Sequence, residues 1–139
     1  MTIPNWVSIA LVVAFLVLGV LVLPIVDVGL RLAVGFAMLV LGFFLNAARV
    51  MGGGDAKMIA ASAPYVAFPD VAIVLVIFSA TLLVTLVLHR IAKAIPAIRR
   101  ATPNWASWEA GRNFPMGISI GLALVVYLGL SAWAGLNAA

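Results

Sequence analysis

Residues Trp6–Leu23 read WVSIALVVAFLVLGVLVL, and thirteen of these eighteen are Val, Ile, Leu or Phe. At about −0.3 to −0.6 kcal/mol each on an insertion scale, such residues favour a helix at the bilayer centre by roughly 5 kcal/mol. Nothing basic precedes the run and no small-residue cleavage site follows it, so an uncleaved membrane helix is expected, not a signal peptide. Pro4 suits a helix start and Trp6 the interface. The whole chain agrees with this stretch. Its 139 residues are 66% hydrophobic and 9% charged, with a mean hydropathy of +1.28. A soluble domain is nearer half apolar and a quarter charged.

Outward from the first span, apolar segments recur. Pro24–Gly29, carrying Asp27, is expected as a turn, followed by a second span over Leu30–Leu45 with Arg31 near enough to its end to snorkel. Gly35 and Gly42 lie seven residues apart on one face, which would admit a close helix neighbour. A weaker segment runs from Asp55 to about Phe68 and is broken by Pro64. About thirteen helical residues reach only ~20 Å, so a short or partly re-entrant helix is expected. The next span is Val71–Leu88 and the last is about Pro115–Trp133, where Gly117 and Gly121 suggest a small-residue contact face. Between them, His89–Arg100 (HRIAKAIPAIRR) is basic and amphipathic and is expected to lie along the membrane surface. Ala101–Asn113 is a polar loop with Trp105 and Trp108 as interfacial aromatics. The expected fold is therefore all-α: one integral membrane bundle over residues 1–139, of about five transmembrane or re-entrant helices.

Charge orients that zigzag. Arg49, Lys57, Arg90, Lys93, Arg99, Arg100 and Arg112 fall on one side and Arg31 alone on the other. Seven against one puts the first group in the cytoplasm, with the N-terminus inside and the C-terminus outside. The same clustering beside spans accounts for a pI near 10.4 without nucleic acid. Membrane lipids are the expected contact. With no cysteine and one histidine, disulfides, thiol catalysis, cysteine-ligated metal and a Ser-His-Asp triad are set aside. His89, at a span end, reads as an interfacial polar residue and not as a catalyst.

Against that background, Gly52-Gly53-Gly54-Asp55-Ala56-Lys57-Met58 stands out. It has neither the spacing of a phosphate loop nor that of a dinucleotide fold, and it follows a membrane helix. No second carboxylate or histidine lies nearby in sequence to make a metal site, and no cofactor is implied. Two readings of Asp55 stay open: a helix cap aided by the dipole, or a functional carboxylate beside the bilayer. Lys57 could sit at the headgroups or attract an anionic group.

These residues resemble the GxGDxK(L/M) signature of the type IV prepilin peptidases, aspartic membrane proteases. Ile3-Pro4-Asn5 resembles the I-P-N that opens a helix in that family, and Phe114-Pro115-Met116-Gly117 the proline-glycine start of its last helix. The small size is similar to the short CpaA/TadV-like members. The resemblance implies a bacterial inner-membrane endopeptidase that removes prepilin leaders of Flp/Tad-type pili at the cytoplasmic face. Asp55 would be one of two catalytic aspartates, with Gly52 and Gly54 giving the backbone room to approach substrate. The family's other aspartate precedes the I-P-N by a few residues, where only Met1-Thr2 stand. Asp27 is expected across the bilayer, Asp70 at ~20 Å beyond the short helix, and Glu109 in a solvated loop, whereas a dyad needs carboxylates about 3 Å apart. The expectation is a second aspartate upstream of Met1 in a longer chain, or an inactive relative, and no cleavage by these 139 residues alone. The alternatives are a non-enzymatic membrane scaffold and an ion or proton transporter subunit; a transporter would place its acid at mid-membrane, not near a span end.

Overall fold

The computed structural model describes residues 3–96, 100, 102 and 116–138. Among them are five α-helices, two short 3₁₀ turns and no strand. The helices are α1 (Asn5–Val22), α2 (Ile25–Ala47), α3 (Gly53–Ser62), α4 (Val71–Ala94) and α5 (Met116–Ala138), with 3₁₀ turns at Ala63–Tyr65 and Phe68–Asp70. Four segments are long and apolar enough to cross a membrane: Asn5–Val22, Ile25–Ala47, Phe68–Ala94 and Met116–Gly135. Large apolar side chains such as Leu21, Phe36, Phe43 and Leu83 are more than half exposed. In water such surfaces aggregate; in a bilayer, helices satisfy their own backbone and present these side chains to lipid. The protein is an all-α, multi-pass membrane protein.

The first boundary falls earlier than the sequence suggests. Leu23 precedes proline and is held extended (φ −111°, ψ 151°), because the proline ring disfavours a helical residue before it. Pro24 then starts α2 directly, its carbonyl accepting from the N–H groups of Asp27 and Val28. Asp27 and Gly29, expected in a turn, are helical. An acid in a first turn is a helix-start signal that complements the dipole. α2 ends where Arg49 turns left-handed (φ 60°), with Val50 N–H donating to Leu45 O and Asn46 Nδ2 to Met51 O, both at 2.9 Å. α3 stops sooner than Phe68 because Pro64 and Pro69 interrupt it, and residues 63–70 form the two 3₁₀ turns instead.

Residues 2–74 form one compact unit and most of the remainder a second. In the first, α3 is the centre: Ala56, Met58, Ala60, Ala61 and Ser62 are all buried. α2 lies against it through glycine, in keeping with the seven-residue spacing. A methyl group on Gly42 would sit 2.8 Å from Ala56 Cβ, and one on Gly35 2.9 Å from Pro64 Cγ. Arg31 does more than snorkel, since its Nη1 donates to the carbonyl of Pro64 at 3.4 Å, beyond the end of α3. α1 is fixed by Tyr65, whose hydroxyl donates to Leu11 O at 2.7 Å and whose ring meets Phe15 edge to face at 5.4 Å.

In the second unit α4 continues through His89 to Ala94. The expected surface segment therefore does not begin at His89. No helix breaker stands between Leu88 and Ala94, and the first interruption is Ile95, held by the proline next to it. The α4–α5 contact uses hydroxyls. Thr85 Oγ1 lies 2.6 Å from Ser119 Oγ, and Thr81 Oγ1, which donates to Phe78 O of its own helix at 2.9 Å, also lies 3.4 Å from Ser119 O. Ser119 is wholly buried, with Ile120, Ala123 and Tyr127 also buried on α5. Among the described residues the contact of α5 with α4 is made at Ser119, with Gly117 and Gly121 half-buried. Trp105, Trp108, Glu109, Phe114 and Pro115 lie outside the described residues.

Candidate functional site

Two motifs about 50 residues apart in sequence meet in the first unit, where Lys57 reaches Asn5 across 52 positions. Gly52, in extended conformation (φ −68°, ψ 139°), is the N-cap of α3, so Gly53, Gly54 and Asp55 form its first turn. Asn46 at the end of α2 backs this turn: a methyl on Gly53 would stand 3.4 Å from its amide nitrogen. On another side α3 meets the start of α1. A methyl on Gly54 would stand 3.1 Å from the backbone nitrogen of Ile3, and Lys57 Nζ donates to Asn5 Oδ1 at 3.1 Å. The Ile3-Pro4-Asn5 and Gly52–Lys57 stretches are therefore one place in the fold.

Asp55 sits at its centre, half-buried. Its carboxylate folds back over Gly52, with Oδ2 2.9 Å from the point where a Cβ on that glycine would be. A side chain at position 52 would displace it. The capping expectation is corrected here, because the cap residue is Gly52 and no side-chain cap bond is made. Burial raises the Asp55 carboxyl above its ordinary value, and among the described residues no cation offsets it. Lys57, two residues on, points its ammonium at Asn5 instead. A carboxyl that gains a proton readily, beside a backbone left bare by glycine, can act as a general acid or base toward an extended peptide.

The other acids among the described residues, Asp27 and Asp70, stand on other elements. Asp27 is in the first turn of α2, while Gly42 and Asn46, near the opposite end, face the start of α3. By the helical rise Asp27 is about 25 Å from that level. Asp70 is separated from Asp55 by the rest of α3 and both 3₁₀ turns. Among the described residues no three His, Cys, Asp or Glu side chains gather to hold a metal ion.

Several residues of this site escape a reading by sequence. Asn46 looks like the polar end of a span, yet it closes the α2–α3 connection and lines Gly53. Asn5 belongs to a recognisable motif, but only the fold reveals it as the acceptor for Lys57. Tyr65 carries one signal, a hydroxylated ring in an apolar stretch, which calls for a partner when buried.

No curated protein and no solved structure matches the chain. The sequence model described as the type IV leader peptidase family matches residues 1–88, which takes in α1, α2, α3 and most of α4 and both stretches of the site, with Phe114–Gly117 lying beyond it. Covering well over half of the 139 residues, that match agrees with the all-α membrane fold and with the meeting of the two motifs: the chain belongs to the type IV leader peptidase family.

Proposed function

We propose that this chain carries one catalytic carboxylate, Asp55, of an aspartic endopeptidase that removes the leader of Flp/Tad-type prepilins. The observation that carries the proposal is the docking of Gly54 and Lys57 on Ile3 and Asn5. It brings Asp55 beside the point where the chain enters α1, and the family resemblance puts the partner aspartate a few residues ahead of that point. Two carboxyls at close range cannot both ionise, so their pKa values separate. The ionised one accepts a proton from water as that water attacks the scissile carbonyl. The protonated one donates a hydrogen bond to the carbonyl oxygen and then a proton to the leaving amine. Partial burial raises the Asp55 carboxyl, the direction that the donor role asks for. The bare backbone at Gly52 and Gly54 leaves room for an extended substrate strand.

The seven-to-one distribution of basic residues supports a site at the cytoplasmic face of the bacterial inner membrane. That is the face on which a positively charged leader remains. None of the chain's four acids, Asp27, Asp55, Asp70 and Glu109, stands ahead of Ile3, where the family resemblance puts the second aspartate, so the proposed chemistry calls for one there in addition to Asp55. Cleavage of a Flp-type prepilin in proteoliposomes by a chain bearing such an aspartate, and its loss in Asp55→Asn, is the test. A chain in which Asp55→Asn cleaves at the parental rate refutes the assignment.

A further inference from the structure

Lys57 is the ionisable side chain of the motif for which the peptidase chemistry has no use. It is exposed on α3, three residues after Gly54 and therefore on the same helix face. Both positions are received by the first residues of α1: Gly54 by the backbone nitrogen and Cβ of Ile3, Lys57 by the side-chain oxygen of Asn5. An ammonium has donors only, so Asn5 must offer Oδ1, and the orientation of its amide is fixed by the contact. From Ser8 onward α1 is held by burial, so the clasp bears on its first residues. Pro4, its N-cap, makes no side-chain cap bond, Asn5 and Trp6 are exposed, and the Tyr65 hydroxyl reaches α1 only at Leu11.

We propose that Lys57 is a positioning residue: its ammonium straps Asn5, and with it the entry of α1, onto the start of α3, fixing where the chain ahead of Ile3 stands relative to Asp55. The strap is a property of the fold, and its catalytic consequence rests on the peptidase function proposed above. Gly54 is the close-contact half of the clasp and Lys57 the polar half.

The chain has no cysteine, so nitroxides on Trp6→Cys in α1 and Ala47→Cys at the end of α2, both exposed, report one distance in the full chain in nanodiscs. The strap predicts a narrow distribution by double electron–electron resonance. Lys57→Met and Asn5→Ala each broaden and lengthen it, the double variant goes no further than either single one, and Lys57→Arg keeps it narrow. A parental distribution in Lys57→Met and Asn5→Ala overturns the proposal. Where Lys57→Met does not insert, Asn5→Ala carries the test alone, since it removes the acceptor and leaves the charge. In a cleavage assay on a chain bearing an aspartate ahead of Ile3, both variants lower kcat by about tenfold to a hundredfold, as misplacement of a reacting group does, with KM unchanged. A raised KM in Lys57→Met with Asn5→Ala at the parental rate assigns the ammonium to substrate and overturns the strap. Broadened distances with no cleavage by any form support the strap and refute the peptidase function instead.

Discussion

The two helix contacts on either side of Val74 are built by opposite means. α2 meets α3 through what is missing, the Cβ atoms of Gly35 and Gly42, so that Ala56 and Pro64 lie almost on the α2 backbone. α4 meets α5 through what is added, the hydroxyls of Thr81, Thr85 and Ser119. Lipid tails are as apolar as leucine, so neither contact can rely on the hydrophobic effect; close backbone approach and interhelical hydrogen bonds are the two means left. The difference between them bears on function. Each of these α4–α5 hydroxyls has its partner, and that contact is chemically quiet. The glycine-mediated α2–α3 contact leaves Asp55 half-buried, with no cation among the described residues to offset that burial. The carboxyl proposed as catalytic is found where packing is done by shape.

The hardest way to break this contrast is at Gly42. A methyl there stands 2.8 Å from Ala56 Cβ and 3.3 Å from its Cα, both backbone-fixed atoms that cannot swing aside. Gly42→Ala is expected to cost about 1–3 kcal/mol, the usual range for overpacking. Equilibrium unfolding in mixed micelles measures it, and a parental midpoint would mean that α2 and α3 are not in backbone contact.

The hydroxyl contact should yield less. Thr85→Val and Ser119→Ala, combined in a double-mutant cycle, are expected to couple by about 0.6 kcal/mol, with ~1.7 as the upper end for such pairs in membranes. Zero coupling would mean that the Thr85–Ser119 bond adds nothing, and the contrast between the two contacts would go with it.

At Asp55 the expected stability change runs against the activity change. Its carboxyl titrates higher in the folded protein than in the unfolded chain, so between the two values the folded state binds more protons and stability falls as pH rises. Asp55→Asn should therefore be more stable than the parent at neutral pH, and the advantage should vanish below the ordinary aspartate pKa of 3.8, where both are uncharged. Thermal melts across that range check the sign. A less stable Asp55→Asn at pH 7 would mean that the carboxylate is paired. Smallest of all, Arg49 holds a left-handed backbone (φ 60°) that suits glycine better by about 1 kcal/mol, so Arg49→Gly should raise the unfolding midpoint slightly.

Much of the first unit was legible in the sequence because its signals are local. Apolar runs mark the spans, Pro24 and Pro64 mark the ends, and the seven-residue spacing of Gly35 and Gly42 marks a contact face. Where the sequence misled, two local signals conflicted or the partner was distant. Asp27 and Gly29 look like a turn until Pro24 is seen to start a helix one residue later. His89–Ala94 looks like a surface segment because its charge outweighs the lack of a breaker before Pro96. The site was legible as a set of residues but not as a place. Nothing at Asn5, Asn46 or Lys57 says which atoms they face, since their partners in space are set by how α1 and α2 pack on α3.

The central claim is that Asp55 is half of a two-carboxylate site completed from the entry of α1. It is tested most directly by following prepilin cleavage in two chains, one with and one without an aspartate a few residues ahead of Ile3, each paired with its Asp55→Asn variant. Cleavage is expected only where both carboxylates are present, with a loss on the order of 10³-fold or more when either is removed. Cleavage that survives Asp55→Asn, or that proceeds at full rate without the added aspartate, would contradict it.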